Sequence, residues 1–244
     1  HEIEDNNDIL NNQKHELVKI YQCFDTFGYS ITESIYQHIT MKVSIDNHDY
    51  MLINPYGTEF GDVTKDNLML IDLNTLNIID KGNHKRCAGK VNPSGIALHS
   101  IIHNYLLNNS NPNGNIVIHS HWSSISSISV SKNGMQNMNH EYWNIMTNND
   151  ELDITYHDFD SLSLAVNATN LKTNLGNNSN VLLLRNHGII ILGDTIKNAF
   201  NTFYSLIMNT MIQTKVYSFV NNNNNIYSTK NNSIKITFNS DLNA

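Results

Sequence analysis

Basic residues and cysteines are scarce in this 244-residue chain, and each shortage excludes a class of protein. The 15 lysines and arginines are outnumbered by 22 acidic residues, so the net charge of −7 offers no global attraction to nucleic acid or an anionic membrane. The two cysteines, Cys23 and Cys87, lack CxxC spacing, which argues against a disulfide framework and against a cysteine-rich zinc site. We therefore expect a reducing compartment and a cytoplasmic protein.

Long apolar runs and nucleotide-binding motifs are also missing from the sequence. We find no stretch of about 18 apolar residues and no secretory signal, so no membrane span is expected. Neither GxGxxG nor a phosphate loop occurs. Asparagine runs such as residues 221–225 indicate compositional bias rather than a functional signal.

Short apolar runs alternate with longer amphipathic segments, and this order predicts a single α/β (α+β) domain of three layers. Strands are predicted over residues 39–43, 50–53, 68–72, 78–80, 153–160 and the two halves of 181–193, and helices over residues 16–27, 91–107, 123–130, 162–175 and 194–217. We predict a polar N-terminal extension at residues 1–13, the domain at 14–220, and an Asn-rich tail at 221–244 with a strand at 233–238.

The segment NIVIHSHW, residues 115–122, is the strongest chemical signal. Its apolar run reads as a buried strand that ends in His119 and His121. Residues two apart point to the same face of a strand, so both imidazoles can approach one divalent ion. A third ligand is predicted at His187, where a second apolar run, VLLLRNHGIII, is interrupted by a polar turn.

Other candidate residues lie on a helix and on two loops. His99 and His103 are four residues apart and share a helix face; we expect a functional role for His99 and a partly exposed surface position for His103. The turn INPYG, residues 53–57, has backbone N–H groups that we expect to face an anion or an oxygen-rich ligand. Asn54 and Gly57 of this turn, with Ser94 at the helix start, are candidate substrate-binding residues.

Four segments together resemble the class II aldolase/adducin family. They are INPYG (53–57), VNPSGIALHSIIH (91–103), VIHSHWSSISSISV (117–130) and LLLRNHGIIILGDTIKNAF (182–200), and the similarity runs from about residue 17 to residue 219. The resemblance implies a central, mostly antiparallel sheet flanked by helices. It also implies a zinc-dependent homotetramer acting on sugar phosphates, with the metal held by His119, His121 and His187.

The chain departs from the family's aldolases at two positions. Those aldolases carry a catalytic carboxylate four residues before the helical histidine, where this chain has Gly95. They also use a Gly-Asn-x-Ser phosphate turn, in place of which residues 36–40 read YQHIT. The Asn-Pro-Ser-Gly sequence that ends at Gly95, together with INPYG and the YHDFD segment, resembles the adducin-like branch, some of whose members are structural proteins.

The resemblance implies a lyase in which a metal stabilises an enediolate as a Lewis acid, and such a reaction also needs a proton acceptor. His99 is the nearest candidate, Asp158 or Asp160 of the YHDFD segment is another, and Tyr142 is a candidate proton donor. The alternative function is a non-catalytic, adducin-like domain for oligomerisation and protein binding. The sequence leaves these alternatives open.

Overall fold

The computed structural model describes residues 2–30, 37–83, 89–108, 115–140, 142, 154–158, 168–175, 180–220, 226–228 and 234–236. The helices are α1 (Glu2–Thr26), α2 (Pro93–Asn108), α3 (Ser123–Ser129), α4 (Ala168–Leu175) and α5 (Ile196–Val220), with a short 3-10 helix at Phe60–Asp62. The strands are β1 (His38–Ile45), β2 (His48–Ile53), β3 (Met69–Asp72), β4 (Ile78–Asp80), β5 (Ile116–Ser120), β6 (Ile154–His157), β7 (Val181–Leu184), β8 (Gly188–Gly193), β9 (Ile226–Ser228) and β10 (Ile234–Ile236).

Eight of these strands form one sheet in the order β4-β3-β2-β1-β5-β8-β7-β6, and β9 pairs with β10 separately. Every pair in the large sheet is antiparallel except β6 with β7. Strands β1, β5 and β8 lie next to one another in the middle of the sheet, although they come from distant parts of the sequence. The predicted mostly antiparallel sheet is therefore confirmed.

Helices cover both faces of the sheet. Along β5, Ile116 and Ile118 pack into one apolar core with α1, α3 and α5, whereas Val117 packs into a second core with α2 and α4. This alternation follows from the two-residue period of a strand whose faces are both buried. The three-layer α-β-α architecture predicted from the sequence is thus confirmed.

The N-terminal helix anchors the first of these cores. The ring of Phe24 stacks on Phe203 of α5 at a centroid distance of 4.3 Å and meets Phe60 edge-on at 5.8 Å. The helix ends at Thr26, close to the end predicted at residue 27, and Gly28 follows it with φ of 75°. The Tyr29 N–H then donates to the Phe24 carbonyl at 2.8 Å, which closes the last turn.

Several predicted boundaries move. Helix α1 begins at Glu2, so it includes most of the segment predicted as a polar extension at residues 1–13. Of the helix predicted at 162–175, the described part is α4, and residues 162–167 lie outside the described residues. The strand predicted at 233–238 corresponds to β10. Among the described residues, no helix has the length and apolar character needed to cross a membrane.

The aromatic cluster around Phe24 yields a test of the fold. Replacing Phe24 with alanine should lower the free energy of unfolding by about 3–5 kcal/mol, because a fully buried ring is lost and a cavity remains. Phe27, 56% exposed, is the matched control, and its replacement should cost about 0.5 kcal/mol. Urea unfolding followed by circular dichroism measures both, and equal losses for the two variants would contradict this packing.

Candidate metal centre

Two of the predicted ligands lie at the carboxyl end of β5. His119 occupies the same face of the strand as Val117, the face covered by α2, and His121 follows immediately after the strand. On the neighbouring strand, β8, the carbonyl of Ile189 accepts a hydrogen bond from Nδ1 of His119 at 3.1 Å. This bond places the proton of His119 on Nδ1, so the lone pair of Nε2 is directed away from the sheet backbone.

The third predicted ligand, His187, lies in the tight turn between β7 and β8. Asn186 before it has a left-handed φ of 55°. Gly188 after it lies so close to β5 that a Cβ atom there would come 2.3 Å from the Ser120 carbonyl oxygen. Glycine therefore allows this turn to approach the end of β5, and the approach brings His187 next to the other two histidines.

The three histidines converge as predicted. One nitrogen from each lies within 4.8 Å of the other two, and the ring centroids of His187 lie 4.6 Å from His121 and 5.1 Å from His119. The Nε2 atoms of His119 and His121 are 2.8 Å apart. Since Nε2 of His119 has no proton, Nε2 of His121 is the donor in this contact.

Burial keeps these imidazoles neutral at pH 7. It lowers the pKa of His119 well below its ordinary value, with His121 adding to the effect, and it lowers the pKa of His121 to about 4. The pKa of His187 is lowered for the same reason. Neutral imidazole is the form that binds a metal, so the set has the donor chemistry of a three-histidine site for zinc or a similar ion.

A serine from α3 connects the segments that carry the ligands. The Ser126 hydroxyl lies 2.8 Å from the carbonyl oxygen of His121 and 3.1 Å from that of His187. It therefore links the end of β5 to the β7–β8 turn. Ser127, the next residue, is exposed and donates to Ser123 within its own helix.

A second group of histidines lies behind the first, and sequence reasoning missed its central member, His38. On β1, His38 pairs with His119 of β5 in the sheet register, and their rings stack at 5.1 Å. Nδ1 of His38 is hydrogen-bonded to Nε2 of His99 at 2.8 Å. The two-residue spacing of His38 and Thr40 on a strand was the available signal, but the sequence contains no pattern that links β1 to β5.

Both ring nitrogens of His99 are used inside the protein. Nε2 contacts His38, and Nδ1 lies 2.6 Å from the Thr40 hydroxyl, which is also 2.9 Å from Nε2 of His103. His99 and His103 are both fully buried. The expectation that His103 is a surface residue is therefore wrong, because Thr40 supplies a polar partner beneath the helix.

The candidate substrate-binding residues differ in burial. The Asn54 side chain contacts the Tyr21 hydroxyl at 3.0 Å and is buried, whereas Gly57 and Ser94 are exposed. The backbone N–H groups of Asn54 and Tyr56 donate within the protein, so the expectation that they face a ligand is wrong for these two.

The two remaining candidates differ in exposure. Asp158 is exposed and directly follows β6. Tyr142 is buried in the first apolar core of its own chain, and this burial, reinforced by Tyr156, raises the pKa of its hydroxyl. The catalytic roles of Asp158 and Tyr142 stay predictions.

Fold and site together define a class II aldolase-like domain with a three-histidine centre. A family model described as Class II Aldolase and Adducin N-terminal domain matches residues 15–214, and the chain belongs to this family. Mouse alpha-adducin is 28% identical over 201 residues, which are 82% of this chain and 25% of that protein. An adducin-related protein of Schizosaccharomyces pombe is 27% identical over 230 residues, 91% of this chain and 65% of that one. The chain thus spans only a quarter of the length of mouse alpha-adducin.

Solved structures share the fold at lower identity. An aldolase II superfamily protein from Pseudomonas syringae has a TM-score of 0.73 at 22% identity, covering 88% of this chain and 79% of that one. An L-fuculose 1-phosphate aldolase from Glaciozyma antarctica has a TM-score of 0.68 at 19% identity, covering 90% and 77%. At such identities the similarity establishes the fold.

The link through Ser126 yields a test of the site. Ser126→Ala should weaken zinc binding by about tenfold, because the two ligand-bearing segments lose a shared hydrogen bond. Ser127→Ala is the matched control and should leave the affinity unchanged. Competition with a chromogenic zinc chelator measures both dissociation constants. Identical affinities for the wild type and Ser126→Ala would show that the link does not support the site.

Proposed function

We propose that this chain is a metal-dependent, aldolase-like lyase that acts on a small sugar or sugar phosphate. The observation that carries the proposal is the convergence of His119, His121 and His187, with one nitrogen from each within 4.8 Å of the others. The part of the chain that the structure describes adds no fourth ligand to this group. Three neutral imidazoles alone are typical of catalytic rather than structural zinc sites. A scaffold would have little chemical need for such a set.

The proposed roles follow from the contacts of each residue. A divalent ion held by the three histidines, for which zinc is our candidate, would supply Lewis-acid stabilisation of negative charge on substrate oxygens. His119 would be oriented by its bond to the Ile189 carbonyl. Since both nitrogens of His99 are occupied, we assign it a positioning role. Asp158 stays our candidate for the carboxylate missing at Gly95, and Tyr142 our candidate proton donor.

A homotetramer is the assembly we propose, by analogy with the family's aldolases. This assembly would differ from that of the family's aldolases in which subunit contributes the tyrosine of the site. The family's aldolases bring a tyrosine from a neighbouring subunit, whereas Tyr142 here is buried within its own chain. Light scattering of the purified protein measures the assembly directly.

The second candidate function is a non-catalytic, adducin-like domain for oligomerisation and protein binding. Two observations favour it. The curated relatives reported above are adducin or adducin-related proteins. The position of the aldolase carboxylate is glycine, and loss of a general acid or base typically costs a factor of 10²–10⁴ in rate, by order of magnitude.

Metal analysis is the first test of the proposed lyase. We expect about one zinc or manganese ion per wild-type chain and its loss in His121→Ala, because removing one of three ligands opens the site. His15→Ala, which removes an exposed histidine of α1, is the matched control and should retain the metal. Elemental analysis of the purified proteins is the measurement.

The wild-type protein is then incubated with a panel of sugars and sugar phosphates, and cleavage is followed by NMR. Turnover that disappears in His121→Ala supports the lyase. Bound metal without turnover of any compound favours the adducin-like function. A wild-type protein that takes up no metal, even after soaking in zinc, overturns the lyase.

A further inference from the structure

The helix position that lacks a side chain, Gly95, is filled from the opposite side by His38. A Cβ atom built on Gly95 would come 2.9 Å from both Cδ2 and Nε2 of the His38 ring and 3.2 Å from Cε1. Carbon atoms in proteins do not approach this closely without displacement. The imidazole of His38 and a side chain at position 95 therefore exclude each other.

His38 is also placed to act on what binds at the metal centre. Its ring is about 95% buried and stacks on the ligand His119 with an interplanar angle of 29°. Nδ1 is committed to His99. Among the described residues, Nε2 of His38 has no hydrogen-bond partner, and the ring face at this edge lies beneath the position of a Cβ atom on Gly95. The ring thus leaves one polar atom, next to a candidate metal ligand, available to a bound molecule.

The hydrogen bonds behind His38 form a chain in which all donor and acceptor roles can reverse together. Its members are His38, His99, Thr40 and His103, joined by contacts of 2.8, 2.6 and 2.9 Å. When His103 donates to Thr40, each following group donates onward, and neutral His38 must carry its proton on Nε2. When the direction reverses, Nδ1 of His38 donates to His99, and Nε2 becomes an acceptor. The chain remains neutral in both states.

We propose that His38 is the substrate-contacting residue that replaces the side chain absent at Gly95, with Nε2 hydrogen-bonded to an oxygen of the small molecule bound at the three-histidine centre. Thr40, His99 and His103 are positioning residues that hold the ring and let Nε2 donate or accept. This inference rests on the proposed metal centre. It deepens that proposal because a neutral imidazole, unlike a carboxylate, accommodates an anionic substrate oxygen without charge repulsion.

The first experiment tests the mutual exclusion, and it needs no metal. Gly95→Ala should lower the melting temperature of the wild type by roughly 3 °C or more, because the new methyl group meets the His38 ring. In a His38→Ala background the same substitution should be neutral or stabilising, since alanine favours a helix over glycine. Equal shifts in the two backgrounds would overturn the inference.

The second experiment tests the contact with cobalt(II)-loaded full-length protein and glycolate, which offers a hydroxyl and a carboxylate. His38→Asn keeps a polar atom near Nδ1 for His99 but removes Nε2, so glycolate binding should weaken about tenfold or more at unchanged cobalt content. His38→Gln restores a polar atom near Nε2 and should recover most of the affinity. The matched control is His48→Ala, which removes a half-exposed histidine paired with Asp72.

The visible absorption of cobalt reports both metal content and glycolate binding. Unchanged glycolate affinity in His38→Asn, with cobalt bound normally, would overturn this inference and leave the proposed function standing. A wild-type protein that binds no cobalt would overturn the proposed function, and with it the contact of His38 with a ligand at that centre.

Discussion

The pairing of three adjacent antiparallel strands, β1, β5 and β8, is the constraint on which the rest of the site depends. The β1–β5 register places His38 opposite His119, and the β5–β8 register places Ser120 opposite Ile189. Because side chains alternate along a strand, a slip of one residue would move an imidazole to the opposite face of the sheet. The close approach at Gly188 completes the arrangement by bringing His187 to the end of β5.

Burial is the second physical factor that determines the chemistry of the site. The α2 face of the sheet gathers five histidines, His38, His99, His103, His119 and His121, and the β7–β8 turn adds His187. Desolvation lowers the pKa of His38 to about 3, and imidazoles so placed remain neutral. Neutral rings can join one another through hydrogen bonds without charge repulsion. The arrangement therefore favours metal binding and a directional hydrogen-bond chain in the same small volume.

Much of the fold was predictable because its signals are local. The run before His119 reads as a buried strand, and the alternation of short apolar runs with amphipathic segments predicts three layers. Capping is local as well: Gly28 ends α1, and the Thr195 hydroxyl accepts the Asn198 N–H at the start of α5. No local sequence signal predicts that β6 pairs with β7 in parallel. The direction of a strand in the sheet depends on the path of the segment that connects it to its neighbour.

The sequence by itself determined the candidate metal ligands that lie near one another or in a recognisable turn. It indicated His119 and His121 through strand periodicity, and His187 through the polar break between two apolar runs. Only the tertiary structure decided the surroundings of His38, because its partners come from another strand and a helix that sequence spacing does not relate. The same applies to His103, whose burial depends on the Thr40 hydroxyl across the layer. Periodicity specifies which face a side chain occupies, whereas strand order and register decide what lies opposite it.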